Sequence, residues 1–347
     1  MIIDVHHHYL PKRFFDDQRL LPADMEAVWE NGKVFYRYRE SKRTVVPPMD
    51  PTWWHDEDKQ LHAMDEAGVD HAVVSVACYQ DWMTIEAARV INDETAAMVA
   101  RHPDRFSGMA SVPPDGGDAM TEELKRAREL GLCAVNITTA HRGRYPDHPD
   151  FRRLFETAAQ LHLPVYVHPS WVTPLPGMER WDLDRAIGKP TDLTLAIANL
   201  MFAGHFQDLP QLRVLFAHLG GSFPITMRRL FHGPKGWLRV PDYDYAALLK
   251  RLYIDTGPGM WWSPAEIEAS ADIVGATQML LGSDYPLSQD PVGLLKKAVH
   301  NVLGTGLPQD DKAWIAGGNA IKLFGLKHLP EGAKLIGHRH VPGTGCC

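Results

Sequence analysis

The sequence predicts an α/β fold, a closed (β/α)8 TIM-like barrel with an insertion after its first strand. Short apolar, β-branched runs alternate with longer stretches of helical period, which is the pattern of repeated βα units around a parallel sheet. Eight such runs can be counted, and eight favour a closed barrel over an open doubly wound sheet, where about six strands are usual. The chain of 347 residues also accommodates a barrel of about 250 residues with insertions.

The runs, in order, are Ile2 to His6, Ala72 to Cys78, Phe106 to Val112, Cys133 to Thr138, Pro164 to His168, Arg213 to Ala217, Leu252 to Asp255 and Met279 to Ser283. Between them, Met120, Leu124, Ala127 and Leu130, and then Phe151, Leu154, Phe155, Ala158 and Leu161, recur at 3 and 4 residue spacing and mark one buried helix face. Gly68, Gly131 and Gly275 stand where helices should stop before the next strand. The segment from Pro11 to about Asp56 breaks the rhythm. It carries Trp29, Phe35, Tyr36, Trp53 and Trp54, too many rings for a solvated linker, and is expected to pack over one barrel mouth with Val34 to Tyr38 as a hairpin strand. The expected organisation is a barrel over residues 1–326, including the insertion at about 11–56, followed by a tail at 327–347.

Asp and Glu outnumber Lys and Arg by 43 to 36, for a net charge of -7, and no long basic run occurs. Nucleic acid and anionic membrane are therefore not expected partners. Every apolar stretch is interrupted well before the roughly 18 residues of a membrane span, and no signal peptide is recognisable, so a cytoplasmic protein is expected. The cysteines Cys78, Cys133, Cys346 and Cys347 have neither the number nor the spacing of a disulfide framework or zinc ribbon.

Histidine is the anomaly, with 18 copies and three in a row at His6, His7 and His8. Four strand ends finish in metal-capable groups: Asp4-Val5-His6-His7-His8, Val167-His168-Pro169, Ala217-His218-Leu219-Gly220-Gly221 and Gly282-Ser283-Asp284-Tyr285-Pro286. Side chains at the C-terminal ends of barrel strands converge on one mouth. Residues i and i+2 of a strand share a side, so His6 and His8 can hold one ion while His7 turns away. With His168 and the carboxylate of Asp284 they make an N3O set suited to Zn2+, with a position left for water or substrate. Taken singly, each piece has a plain structural reading, such as an Asx turn at Ser283-Asp284; their joint placement at strand ends carries the inference.

These pieces, together with Leu215 to Pro224, resemble the metal-dependent amidohydrolase superfamily, and within it the branch of aminocarboxymuconate-semialdehyde and γ-resorcylate decarboxylases. The resemblance runs from residue 1 to about 326. It implies a (β/α)8 barrel with His6, His8, His168 and Asp284 as ligands of one Zn2+ (Mn2+ as the alternative) per subunit, and with His218 and Asp284 as catalytic groups. The fourth run, Ala134 to Thr138, has no lysine to be carbamylated as a bridge, which implies a mononuclear centre. The resemblance also implies a homodimer or higher homo-oligomer in which Arg229, eleven residues after His218, reaches the neighbouring subunit's site. A second substrate arginine maps to Arg43, with Arg39 and Lys42 as alternatives. Guanidinium forks suit a carboxylate substrate. Trp181, with Trp171, Trp261 and Trp262, is read as a candidate wall of a planar apolar pocket, and Leu287 stands where the muconate-semialdehyde branch has an aromatic residue.

The activity implied is non-oxidative decarboxylation of an aromatic or unsaturated carboxylic acid. The alternative keeps the site and hydrolyses or hydrates a lactone, amide or vinylogous carbonyl. A barrel that has lost catalysis is a third reading, disfavoured by retention of all four candidate ligands and His218.

Overall fold

The computed structural model describes residues 1–42, 44–170, 177–178, 180–231, 240–330, 332 and 335. Arg43, Trp171 and most of the tail after residue 330 lie outside them.

Eight parallel strands make the barrel: β1 (Ile3–His8), β5 (His71–Ser75), β6 (Phe106–Ser111), β7 (Ala134–Thr138), β8 (Val165–His168), β9 (Val214–Phe216), β10 (Leu252–Asp255) and β11 (Met279–Leu280), neighbours in that order. The sheet returns on itself, because Val5 N donates to Leu281 O at 2.9 Å, His8 N to Tyr285 O at 2.9 Å and Asp284 N to His6 O at 2.8 Å. The insertion supplies the antiparallel sheet of β2 (Met25–Glu30), β3 (Lys33–Tyr38) and β4 (Thr44–Met49), with β3 in the middle. Around the barrel run α1 (Glu57–Ala67), α2 (Ile85–Arg101), α3 (Gly117–Glu129), α4 (Pro149–Gln160), α5 (Lys189–Phe202), α6 (Phe223–Phe231), α7 (Pro264–Val274) and α8 (Pro291–Leu303).

The helix faces expected from spacing are those that pack. Phe151, Leu154, Phe155 and Ala158 on α4, and Met120, Leu124 and Ala127 on α3, are buried in the layer between helices and strands. Leu130 is a correction: α3 ends at Glu129, and Leu130 is left exposed in the turn. Gly68 closes α1 at φ +69°, the left-handed position a glycine cap serves. The alternate strand residues Val5, Val73, Met109, Tyr166, Leu215 and Leu280 form a separate cluster, which Leu323, Phe324 and Leu335 join.

Three strands end two or three residues from where the sequence placed them. β1 runs on to His8, because it pairs with β5 as far as Ser75 and the turn after β11 bonds its other edge. β5 stops at Ser75, and residues Ala77–Trp82 wind into a 3-10 helix. β11 is confined to Met279–Leu280, which frees Ser283 and Asp284 to turn into the mouth. The insertion has its own core, in which Leu10, Phe14, Phe15, Val34, Tyr36 and Trp54 pack with Tyr79 and Trp82. No described helix is long and apolar enough to cross a membrane.

Candidate metal centre and active site

β1 delivers His6 and His8 to the same side, β8 ends in His168, and Asp284 follows β11. One ligand atom from each of His6, His8, His168 and Asp284 lies within 4.8 Å of all the others. The arrangement centres on one carboxylate oxygen: Asp284 Oδ1 is 3.1 Å from His6 Nε2, 3.0 Å from His8 Nε2 and 3.9 Å from His168 Nε2. The three rings surround it almost evenly, with centroids 4.9, 5.1 and 5.1 Å apart. His218, just after β9, brings Nε2 to 3.7 Å from the other oxygen, Asp284 Oδ2.

The distal nitrogen of each imidazole faces a protein oxygen. His6 Nδ1 faces Asp255 Oδ2 at 3.0 Å, His8 Nδ1 faces Ser75 Oγ at 3.2 Å, and His168 Nδ1 donates to Pro169 O at 2.9 Å. Such partners fix ring orientation and leave Nε2 to point at an ion. The insertion adds a further restraint, because the Trp54 ring stacks on His8 at 5.7 Å and 11°. His7 points away as alternation requires, with Nδ1 3.1 Å from Asp4 Oδ2 and its ring stacked on Tyr285 at 4.3 Å.

The donor set fits one divalent cation on two grounds. His6 Nε2, His168 Nε2 and His218 Nε2 are buried without a hydrogen-bond partner among the described residues, which is costly unless something else is bound there. The electrostatics also ask for positive charge. Burial opposes protonation of His6, yet Asp255 and Asp284 outweigh it and raise the ring to about 10. Burial pushes His168 down to about 3 and His218 well below the ordinary range. Burial disfavours the Asp284 carboxylate, but the charge of His6 and the surrounding imidazoles hold it well below the usual range.

Both candidate catalytic groups sit on strained backbone, with φ of +53° at His218 and +66° at Asp284. For non-glycine residues this conformation costs energy and gathers at functional sites. Gly282 makes the closure possible, since a Cβ there would lie 2.7 Å from His6 Cβ and 2.9 Å from Asp255 Cγ.

Asp255 stands outside the strand-end motifs read from the sequence. It is fully buried at the end of β10, accepts from His218 N (3.1 Å), Gly257 N (2.8 Å) and Tyr166 Oη (2.9 Å), and faces His6. Its signal was an acid closing a barrel strand, the criterion that selected the other four ends. Asp4 likewise had no assigned role. It accepts from Ser283 Oγ at 2.5 Å and Ser283 N at 3.0 Å and so ties the Asp284 turn to β1.

The expected substrate residues are more dispersed. Arg229 is exposed on α6. Arg39 and Lys42 pair with Glu26 on the insertion sheet, at 3.5 and 3.2 Å, and Arg43 lies outside the described residues. Trp181 is 76% exposed with the Arg180 guanidinium 4.7 Å over its ring, and no described ring contact joins it to the histidine cluster. Trp261 is nearer the chemistry, half exposed and edge-on to His218 at 6.3 Å. Leu287 packs against the insertion core.

The amidohydrolase family model matches residues 3–326. A 2-amino-3-carboxymuconate-6-semialdehyde decarboxylase of Dictyostelium discoideum is 28% identical over 342 residues, covering 93% of this chain and 91% of that protein. A gamma-resorcylate decarboxylase of Rhizobium sp. (strain MTP-10005) is 28% identical over 297 residues, covering 78% and 87%. Among solved structures, a dihydroxybenzoic acid decarboxylase of Polaromonas sp. JS666, with bound manganese and the inhibitor 2-nitroresorcinol, superposes with a TM-score of 0.71 at 23% identity, covering 94% of this chain and 97% of that one.

Proposed function

From the premise that this chain belongs to the amidohydrolase family, we propose that it is a metal-dependent carboxy-lyase that removes CO2 without oxidation from an aromatic or unsaturated carboxylic acid. The observation that carries the reading is the convergence of His6, His8, His168 and Asp284 within 4.8 Å, with His218 Nε2 beside the Asp284 carboxylate. The relatives named above, decarboxylases of an unsaturated and of aromatic acids, support the substrate class.

His6, His8, His168 and Asp284 would hold the ion. Three neutral imidazoles and one carboxylate suit Zn2+, and Mn2+ is the alternative supported by the Polaromonas relative. When bound, the ion supplies a Lewis acid for the substrate carboxylate and an adjacent oxygen. Burial keeps His218 neutral, so it is set to accept a proton at Nε2 from a substrate hydroxyl or water. It returns that proton to the carbon that loses CO2. The electron pair of the breaking C–C bond stays on that carbon and forms the new C–H bond, and CO2 leaves. Asp284, transiently protonated, is the second candidate carrier.

Arg229, exposed on α6, would serve a neighbouring subunit of a homo-oligomer and anchor a remote carboxylate there. We read the enzyme as cytoplasmic, where thiols such as Cys133 stay reduced.

The test is CO2 release by the metal-loaded protein from a panel of hydroxybenzoates and muconates, set against ring opening of lactones. Decarboxylation of at least one acid is expected, and His218→Ala should abolish it while metal content stays near wild type. Lactone opening without CO2 release would make the enzyme a hydrolase. Loss of metal from His218→Ala would make His218 a ligand.

A further inference from the structure

Asp192 lies in the first turn of α5, outside the group that surrounds Asp284, yet its bonds lead to the backbone of the turn that follows His168. The carboxylate is almost fully buried and collects three hydroxyl donors. Thr139 Oγ1 donates to Oδ2, Tyr145 Oη to Oδ1 at 2.5 Å, and Ser170 Oγ to Oδ2 at 3.2 Å. Thr139, just past β7, is the relay. Its Oγ1 accepts from Ser170 N at 2.9 Å, and its own N donates to His168 O at 2.9 Å. The His168-Pro169-Ser170 turn is therefore gripped at both ends by one threonine, whose hydroxyl is oriented by Asp192.

The grip matters because the hydrogen bond that orients the His168 ring stays within this turn. Its Nδ1 bond goes to Pro169 O within the same turn, so the ring is only as well placed as the turn. His168 Nε2 is also the farthest of the three imidazole nitrogens from Asp284 Oδ1, at 3.9 Å against 3.0 and 3.1 Å, and a drift of the turn would withdraw it first.

We propose that Asp192 is a positioning residue for the metal centre, acting through Thr139 to hold His168 in ligating position. The inference rests on the ligand assignment made above. A buried carboxylate satisfied by three hydroxyls is not needed to close α5, which has its own helical bonds; its bonds run instead to the ends of two barrel strands. Ligand-orienting partners of this kind are worth about 10 to 100-fold in metal affinity.

The experiment is titration of metal-free protein with Mn2+, reading free ion from its electron paramagnetic resonance signal, alongside thermal melting without metal. Asp192→Ala should weaken Mn2+ binding about tenfold or more. Thr139→Val, which removes both the donor to Asp192 and the acceptor for Ser170 N, should weaken it similarly. Thr139→Ser, which retains the hydroxyl, should restore wild-type affinity, and the Asp192→Ala/Thr139→Val double variant should lose no more than the worse single. Wild-type affinity in Thr139→Val, or in a folded Asp192→Ala, would overturn the proposal, as would fully additive losses in the double variant. The Thr139 pair decides the matter should Asp192→Ala not fold. The controls separate this inference from its premise, since wild type must bind one Mn2+ and His168→Ala must bind it poorly; failure of either control overturns the ligand assignment and this inference together.

Discussion

Asp255 carries more of the site than its position outside the ligand group suggests. A single buried carboxylate faces the distal nitrogen of His6 and accepts from the backbone N–H of His218, so one residue orients a candidate ligand and the candidate proton carrier together. Asp255→Asn keeps the shape but removes the charge that supports a proton on His6 Nδ1. The expected result is a metal affinity lowered about 10 to 100-fold with the fold intact, measured by competition with a calibrated chelator. An unchanged affinity would reduce Asp255 to a packing role. At this scale the sequence was legible where a motif spans a strand end: His6, His8, His168, His218 and Asp284 meet as their strand positions require. Ser75 and Asp192 were not legible, because each acts through a partner 67 or 53 positions away and nothing local marks a side chain that orients another; Asp255 closes a strand as the other ends do, but its partner His6 lies at the far end of the chain.

The turn from β9 into α6 is the most constrained element of the mouth. His218, Leu219, Gly220 and Gly221 all have positive φ, from +53° to +68°, which turns the His218 side chain toward Asp284 while the chain enters α6. A Cβ on Gly221 would stand 2.0 Å from Pro190 O, at the start of α5. Gly221→Ala should therefore combine a backbone penalty of about 1–2 kcal/mol with an overpacking penalty of about 1–3 kcal/mol, visible as a lower urea midpoint. A loss under about 1 kcal/mol would mean that α5 yields easily. The Gly-Gly pair was evident in the sequence, but the close approach of α5 was not, since Pro190 and Gly221 are distant along the chain. The insertion was legible as an ordered cover because of its rings; that Trp54 would stack on His8 needed the fold.

Across the whole molecule, the eight-strand order followed from the βα alternation, and the errors fell at strand ends, where closing the barrel overrides local pattern: β1 is lengthened by its pairing with β5 and by the turn after β11, and β11 itself is short. Histidines outside the metal centre contribute to how this fold responds to acid. Burial lowers His71 and His205 below the ordinary histidine value of 6.5, and each ring is fixed by a backbone carbonyl, Asp104 O and Pro146 O respectively, at 2.9 Å. Below pH 6.5 the unfolded chain takes up protons that the folded protein refuses, so the stability these groups allow is complete above 6.5 and is lost as the pH falls toward their lowered folded-state values. In chelator-treated protein, unfolding midpoints should fall between pH 7 and 5, and His205→Gln should flatten that slope; an unaltered slope would show that His205 takes up its proton equally well folded and unfolded. Whether residues from the beginning, middle and end of the chain gather around one cation is decided by anomalous diffraction from crystals grown with Mn2+ or Zn2+. One strong peak per subunit is expected, about 2.0–2.2 Å from Nε2 of His6, His8 and His168 and from a carboxylate oxygen of Asp284. A metal-bound protein with its peak elsewhere, or with any of those four residues out of reach of it, would overturn the ligand assignment.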